Sequence, residues 1–227
     1  MMTTKTLIIT AFLAVCSSSC RAQNDDVKNS ALYGKTINII GDSYVANHRR
    51  PKEETWHSMV ASKYGMTYRN YGRNGCCIAF NRDKDGFGPS LLEKYKMMND
   101  TADYVIVLAG HNDADKIKDS ADSLLIFRDR LEALCDSLIG KYPSAKLAFI
   151  TPWNVPRAGF PQVIAVIEEV CASRSIPVFN AAKQSGIYVW NESFRKRYFQ
   201  SPNDTAHLNA SGHQLVMNKM ESFLLGL

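Results

Sequence analysis

No apolar run of the roughly 20 residues that a membrane-spanning helix needs occurs in this 227-residue chain. Internal repeats, low-complexity tracts and a linker between domains are missing too, which argues against solenoids, fibres and tethered modules and leaves one globular domain. There is no Gly-x-Ser-x-Gly elbow, no His-pair zinc signature and no phosphate-cradling Gly-rich loop before Lys-Ser/Thr. Neither sign of charge dominates, with 27 Lys and Arg against 22 Asp and Glu. The net charge is only +5, with the basic residues scattered rather than striped, so nothing in the sequence calls for nucleic acid.

The first residues read differently from the rest. Lys5 gives a positive start, Leu7 to Val15 form a short apolar run, small residues follow through Ser19, and the polar stretch Gln23 to Ser30 comes next. This is the pattern of a secretory signal over residues 1–22, with a short segment at 23–35 and a single domain at 36–227. Cleavage after Ala22 and lipidation of Cys20 are alternative processing events, giving a periplasmic or secreted protein or a membrane-anchored lipoprotein. Cleavage removes Lys5 and Arg21, two positive charges, and lowers the net charge from +5 to +3. Cys76, Cys77, Cys135 and Cys171 then remain in an oxidising compartment, where a domain of this size does not depend on disulfides. Their pairing is not readable from spacing.

From Thr36 onward, β-rich apolar runs alternate with stretches of helical periodicity. Thr36–Ile40, Met66–Asn70, Tyr104–Ala109, Lys146–Thr151 and Pro177–Asn180 read as buried strands. Thr55–Lys63, Ser90–Met98, Ser123–Ile139, Phe160–Ser173 and Ser211–Leu225 carry apolar residues at three- and four-residue intervals. Gly65, Gly140 and Pro143 stand where helices should stop. The alternation predicts an α/β protein, a three-layer α/β/α sandwich on a five-stranded, mainly parallel sheet, with sites at the carboxyl ends of the strands.

Four separated pieces gather at those strand ends. The first strand runs into Gly41-Asp42-Ser43, which puts a serine hydroxyl in a nucleophile's position, although a serine after a strand is more often a helix N-cap. Near the other end, Asp204-Thr205-Ala206-His207 sets a carboxylate three residues before an imidazole. The carboxylate can hold one ring nitrogen while the other faces a serine, the base that a hydroxyl nucleophile requires. A turn aspartate beside a surface histidine has the same spelling. Asn70-Tyr71-Gly72-Arg73-Asn74-Gly75 and Gly110-His111-Asn112-Asp113 follow the second and third strands. There the Gly75 N–H and the Asn112 amide could meet an oxyanion, or each could simply build a turn.

Together and in this order the four pieces resemble the SGNH hydrolases, also called the GDSL esterase and lipase family, from about Ile37 to Gln214. The resemblance implies a flavodoxin-like sandwich, Ser43 as nucleophile, His207 as general base and then acid, and Asp204 as its orienter. The implied oxyanion hole is the Ser43 and Gly75 N–H groups with the Asn112 side chain, and no metal or other cofactor is implied. Departures from the family pattern are Tyr44, where leucine is frequent, and Cys76-Cys77 after Gly75, whose thiols are read as packing rather than as a disulfide. His111 is expected to face solvent.

A metallophosphoesterase is the nearest competitor in another class, but no Asp-x-His precedes Gly41 and too few carboxylates converge for paired metal ions. A non-catalytic glycan-binding protein on the same scaffold is the other alternative. Tyr44, Arg73, Arg82, Trp153, Asn154 and Arg157 are candidates for the substrate pocket, with Tyr44, Arg73 and Trp153 foremost; Trp153 beside two prolines also suits a packing anchor. With no long apolar lid in the sequence, short acyl groups on a saccharide are the expected substrate, hydrolysed through an acyl-enzyme. Lysophospholipids, thioesters or acyl transfer remain open within the resemblance.

Overall fold

The structure, a computed structural model, describes residues 26–227. The leader at 1–22 and Cys20 lie outside the described residues. Five strands form one sheet: β1 (Thr36–Gly41), β2 (Thr67–Gly72), β3 (Tyr104–Leu108), β4 (Lys146–Ile150) and β5 (Val178–Phe179), in the order β2-β1-β3-β4-β5. All four pairings are parallel. Every residue of β3, Tyr-Val-Ile-Val-Leu, is buried, the composition of a strand covered on both faces by helices.

The helices are α1 (Ser43–Ala46), α2 (Trp56–Lys63), α3 (Leu91–Lys94), α4 (His111–Ile117), α5 (Ala121–Lys141), α6 (Phe160–Ala172), α7 (Ala181–Gln184), α8 (Glu192–Tyr198) and α9 (Ala210–Leu225). α9 packs against α2, whereas α5 packs against α3, α4 and α6. No helix among the described residues is long and apolar enough to cross a membrane.

Differences from the sequence reading have local causes. The stretch expected as one helix at 90–98 splits into α3 and a tighter 3₁₀ turn, Tyr95–Met97. Gly140 does not stop α5, which runs to Lys141 and ends where Tyr142 leaves helical geometry just before Pro143. α8 was not anticipated because Glu-Ser-Phe-Arg-Lys-Arg-Tyr buries no residue fully; the Asn191 side chain fixes its start by accepting from the Phe194 N–H at 2.8 Å. Cys76, Cys77, Cys135 and Cys171 are buried free thiols.

The strand order decides where a site can form. The chain moves from β1 to β2 on one side and then to β3 on the other. A crevice therefore opens outside the carboxyl ends of β1 and β3.

Candidate functional site

β1 delivers Ser43 to that crevice through a tight turn. A Cβ on Gly41 would lie 2.0 Å from the Leu108 carbonyl oxygen, so only glycine lets β1 approach β3 this closely. Asp42 then caps α1 by accepting from the Tyr44 N–H at 2.9 Å, which places Ser43 at the first helical position. α1 ends after one turn because Asn47 adopts the left-handed conformation at φ 61°.

The partner loop comes from the stretch between α8 and α9. Phe199 and Leu208 bridge antiparallel, and the Gln200 N–H donates to the His207 carbonyl at 2.9 Å, closing the loop that carries Asp204 and His207. Asp204 Oδ1 accepts from the N–H groups of Ala206 and His207 at 2.8 and 2.9 Å. Its Oδ2 lies 2.9 Å from His207 Nδ1, and His207 Nε2 lies 2.9 Å from Ser43 Oγ. Burial alone would raise the Asp204 pKa, but the hydrogen bonds from His207 and from the two backbone N–H groups hold it below the ordinary carboxylate value. A hydroxyl, an imidazole and an ionised carboxylate so connected can pass the hydroxyl proton to the ring and stabilise the resulting imidazolium.

Asn112 lies in the first turn of α4 and joins two other pieces. Its Nδ2 donates to the Cys76 carbonyl at 3.0 Å and to Asp42 Oδ2 at 3.3 Å, so it sits between the Gly75–Cys76 loop and the residue before Ser43. Gly75 has φ +72°, and a Cβ there would stand 2.1 Å from the Phe87 ring. Arg82 covers that ring at 4.3 Å from its centroid and donates to the Gly75 carbonyl at 2.9 Å. The loop is also held from within. Asp113, fully buried, accepts from the Ile78 and Ala79 N–H groups at 2.8 and 3.0 Å. Burial pushes the Asp42 carboxyl up to about 8, against the hydrogen bond from the Tyr44 N–H, which favours its charged form.

Three expectations are corrected by burial. His111 does not face solvent: it is 3% exposed, and its Nδ1 shares a 3.1 Å hydrogen bond with the Tyr44 hydroxyl. Trp153, 1% exposed, packs tilted against Tyr44 with ring centroids 4.4 Å apart and donates from Nε1 to the Ala206 carbonyl at 2.8 Å. Tyr44 and Trp153, expected to touch substrate, thus present almost no face to it and instead brace the loop of Asp204 and His207. Arg73 is exposed, with its guanidinium over Gly88. Asn154 is exposed, and Arg157 pairs with Asp115.

Sequence reasoning did not find the anchoring roles of Asp42 and Asp113, nor His48. The His48 ring stacks on His207 with centroids 4.3 Å apart and planes 18° from parallel. Asp113 had a signal in its place beside Asn112. His48 had none, because its position depends on the left-handed turn at Asn47 and His48. Among the described residues, no group of three or more His, Cys, Asp or Glu side chains stands together as a metal site.

The buried histidine gives a pH prediction. Burial first, and then the Arg157 charge, push His111 down to about 3, whereas an unfolded histidine titrates at roughly 6.5. As pH falls below that value the unfolded chain takes up a proton that the folded chain refuses, so this contribution is complete above about 6.5 and is lost toward acid. Asp42 runs the opposite way: its raised pKa favours the folded state at low pH, and this contribution fades as pH rises towards 8. A comparison with His111→Gln isolates the histidine. In urea melts at pH 7, 6 and 5, the wild type should lose about 1.4 kcal/mol relative to the variant per pH unit below about 6.5. A difference that stays constant with pH contradicts the assignment.

Known proteins share this fold. The model of the GDSL-like lipase/acylhydrolase family matches residues 39–215. A carbohydrate acetylesterase family member from Sinorhizobium meliloti superposes with a TM-score of 0.61 at 16% identity, covering 85% of this chain and 100% of its own. A psychrotrophic esterase from Pseudoalteromonas gives 0.57 at 19% identity over 84% of this chain and 96% of its own. A family two carbohydrate esterase from Clostridium thermocellum gives 0.64 at 13% identity over 86% of this chain and 64% of its own. At such identities the likeness shows the fold. No curated protein matches the chain.

Proposed function

Because the chain belongs to the GDSL-like lipase/acylhydrolase family and is a hydrolase acting on ester bonds, we propose that Ser43 is its nucleophile and that it removes acetyl or other short acyl groups from a saccharide. The observation that carries the mechanism is the pair of 2.9 Å hydrogen bonds linking Ser43, His207 and Asp204.

Ser43 Oγ attacks the ester carbonyl as its proton passes to His207 Nε2, and Asp204 stabilises the imidazolium. The carbonyl oxygen gains negative charge, which the N–H groups of Ser43 and Gly75 and the Asn112 amide meet. Asn112 Nδ2 already has two acceptors, so the oxyanion takes over the longer one, at Asp42. His207 then gives its proton to the departing alkoxide, leaving an acyl-serine. A water molecule, deprotonated by His207, attacks that ester and releases the acid, and the proton returns to Ser43.

A short acyl group is supported by the crowding around the serine. Ser43 is 6% exposed, and the next residue, Tyr44, is itself buried and packed against His111 and Trp153. A saccharide is supported by structural neighbours named a carbohydrate acetylesterase and an acetyl xylan esterase. Export, by cleavage after Ala22 or by lipidation at Cys20, belongs to the same proposal and is supported by the Lys5 to Ser19 pattern.

Hydrolysis of p-nitrophenyl acetate, butyrate and octanoate tests acyl length. kcat/KM should fall by at least about tenfold from acetate to butyrate, where two methylenes are added, and by more from butyrate to octanoate, where four are added, as expected where added methylenes clash rather than bind. A rise along the series overturns the short-acyl reading in favour of a lipase or lysophospholipase.

A further inference from the structure

Building on the saccharide reading above, we propose that Tyr188 and Trp190 form an aromatic platform for the sugar chain that carries the ester. The segment between α7 and α8 alternates: Ile187 and Val189 are buried, while Tyr188 is 65% and Trp190 67% exposed. The two apolar residues anchor the strip, and the alternation turns both aromatic rings outward, with Tyr188 set edge-to-face against Phe194 at 5.3 Å between centroids. Large aromatics exposed together mark an interaction surface.

The cleft beside them, about 940 Å³, is within the roughly 300–1,000 Å³ typical of small-molecule sites. Its walls are amphipathic. Asn154, Gln184 and Ser193 line it with the two aromatics, and Asn191 uses its carbonyl oxygen on α8, leaving its –NH₂ end as a donor. The lysines at the cleft are engaged, Lys183 with Glu168 and Lys219 with the Gln184 carbonyl. Flat apolar faces edged by amides and a hydroxyl, without a free cation cluster, match the C–H faces and hydroxyl rims of pyranose rings rather than phosphate or a lipid surface.

The platform is tied to the candidate site. Arg195 donates from Nη1 to the Val189 carbonyl at 2.7 Å and from Nε to the Pro202 carbonyl at 2.8 Å, joining the strip to the loop that leads to Asp204. On the other wall, Asn154 directly follows Trp153, which braces that same loop. A saccharide lying across Tyr188 and Trp190 would thus rest on the same backbone that holds the loop of Asp204 and His207.

The test compares wild type, Tyr188→Ala, Trp190→Ala, the double variant and Trp190→Phe on p-nitrophenyl acetate, acetylated xylose and acetylated xylohexaose. With the hexasaccharide, KM should rise about tenfold for each alanine substitution and about 100-fold for both, kcat should hold, and Trp190→Phe should recover most of the loss. Rates with p-nitrophenyl acetate and with the acetylated monosaccharide should not change. Hexasaccharide kinetics unaltered by the double variant overturn the platform alone. Equal losses on all three substrates also overturn it, since the strip would then be structural. A wild type that cleaves p-nitrophenyl acetate but neither saccharide overturns the saccharide reading, and the platform with it.

Discussion

Ser43→Ala and His207→Ala are each expected to lower kcat for p-nitrophenyl acetate by roughly 10⁴- to 10⁶-fold, the range seen when a member of a serine triad is removed. The double variant should be little worse than either single one, because the two groups act in one proton transfer and neither works alone. Asp204→Asn should cost on the order of 10⁴ if the carboxylate is what sets the ring's tautomer and stabilises its charge. Here the geometry makes a specific demand. Asp204 Oδ1 also accepts two backbone N–H groups, at 2.8 and 2.9 Å, so asparagine can keep the loop only with its oxygen toward those groups. Its –NH₂ then faces His207 Nδ1, and the ring must present Nε2–H to Ser43, the wrong tautomer for a base. Urea midpoints measured beside the rates separate this chemical loss from unfolding; an active Asp204→Asn enzyme would show that the carboxylate is dispensable.

The second large effect is expected at the oxyanion donors. Asn112→Ala should reduce kcat by about 10²- to 10³-fold while leaving KM nearly unchanged, since the donor acts on charge that exists only in the transition state. Gly75→Ala should be at least as severe for a different reason. Alanine at φ +72° is strained, and its Cβ would lie 2.1 Å from the Phe87 ring, so the loop carrying the N–H must move. Pairing Gly75→Ala with Phe87→Ala distinguishes the two causes. Partial recovery in the double variant identifies the ring clash; no recovery identifies the backbone conformation; wild-type kcat in Gly75→Ala would remove the 75–76 loop from the account.

The strand runs were legible in sequence because a parallel sheet buried on both faces demands continuous apolar residues, which β3 supplies in full and β4 in its last three buried residues, Ala148 to Ile150. β2 was less so. Its Thr-Tyr-Arg-Asn-Tyr-Gly is partly exposed at the sheet edge, and the strand runs two residues beyond the end expected for it. The four blocks that marked the site were legible because each stands after a strand or before the last helix. What supports those blocks was not. Asp113 acts through backbone N–H groups of another turn, Asp42 through the Asn112 side chain, and His111 and Trp153 through packing on Tyr44, and such long-range contacts have no spacing signature. Tyr188 and Trp190 were overlooked for the same reason: Ile-Tyr-Val-Trp reads as a buried run until burial shows which two residues face inward.

The central proposal is that Ser43 carries the acyl group, and covalent trapping measures this most directly. The wild-type chain, treated with p-nitrophenyl ethylphosphonate and mapped by peptide mass spectrometry, should carry one ethylphosphonyl adduct, on Ser43, in proportion to lost activity, with none on Ser43→Ala or on urea-unfolded protein. Inactivation with the adduct on another residue, or an unmodified Ser43 in fully inactivated protein, would contradict it.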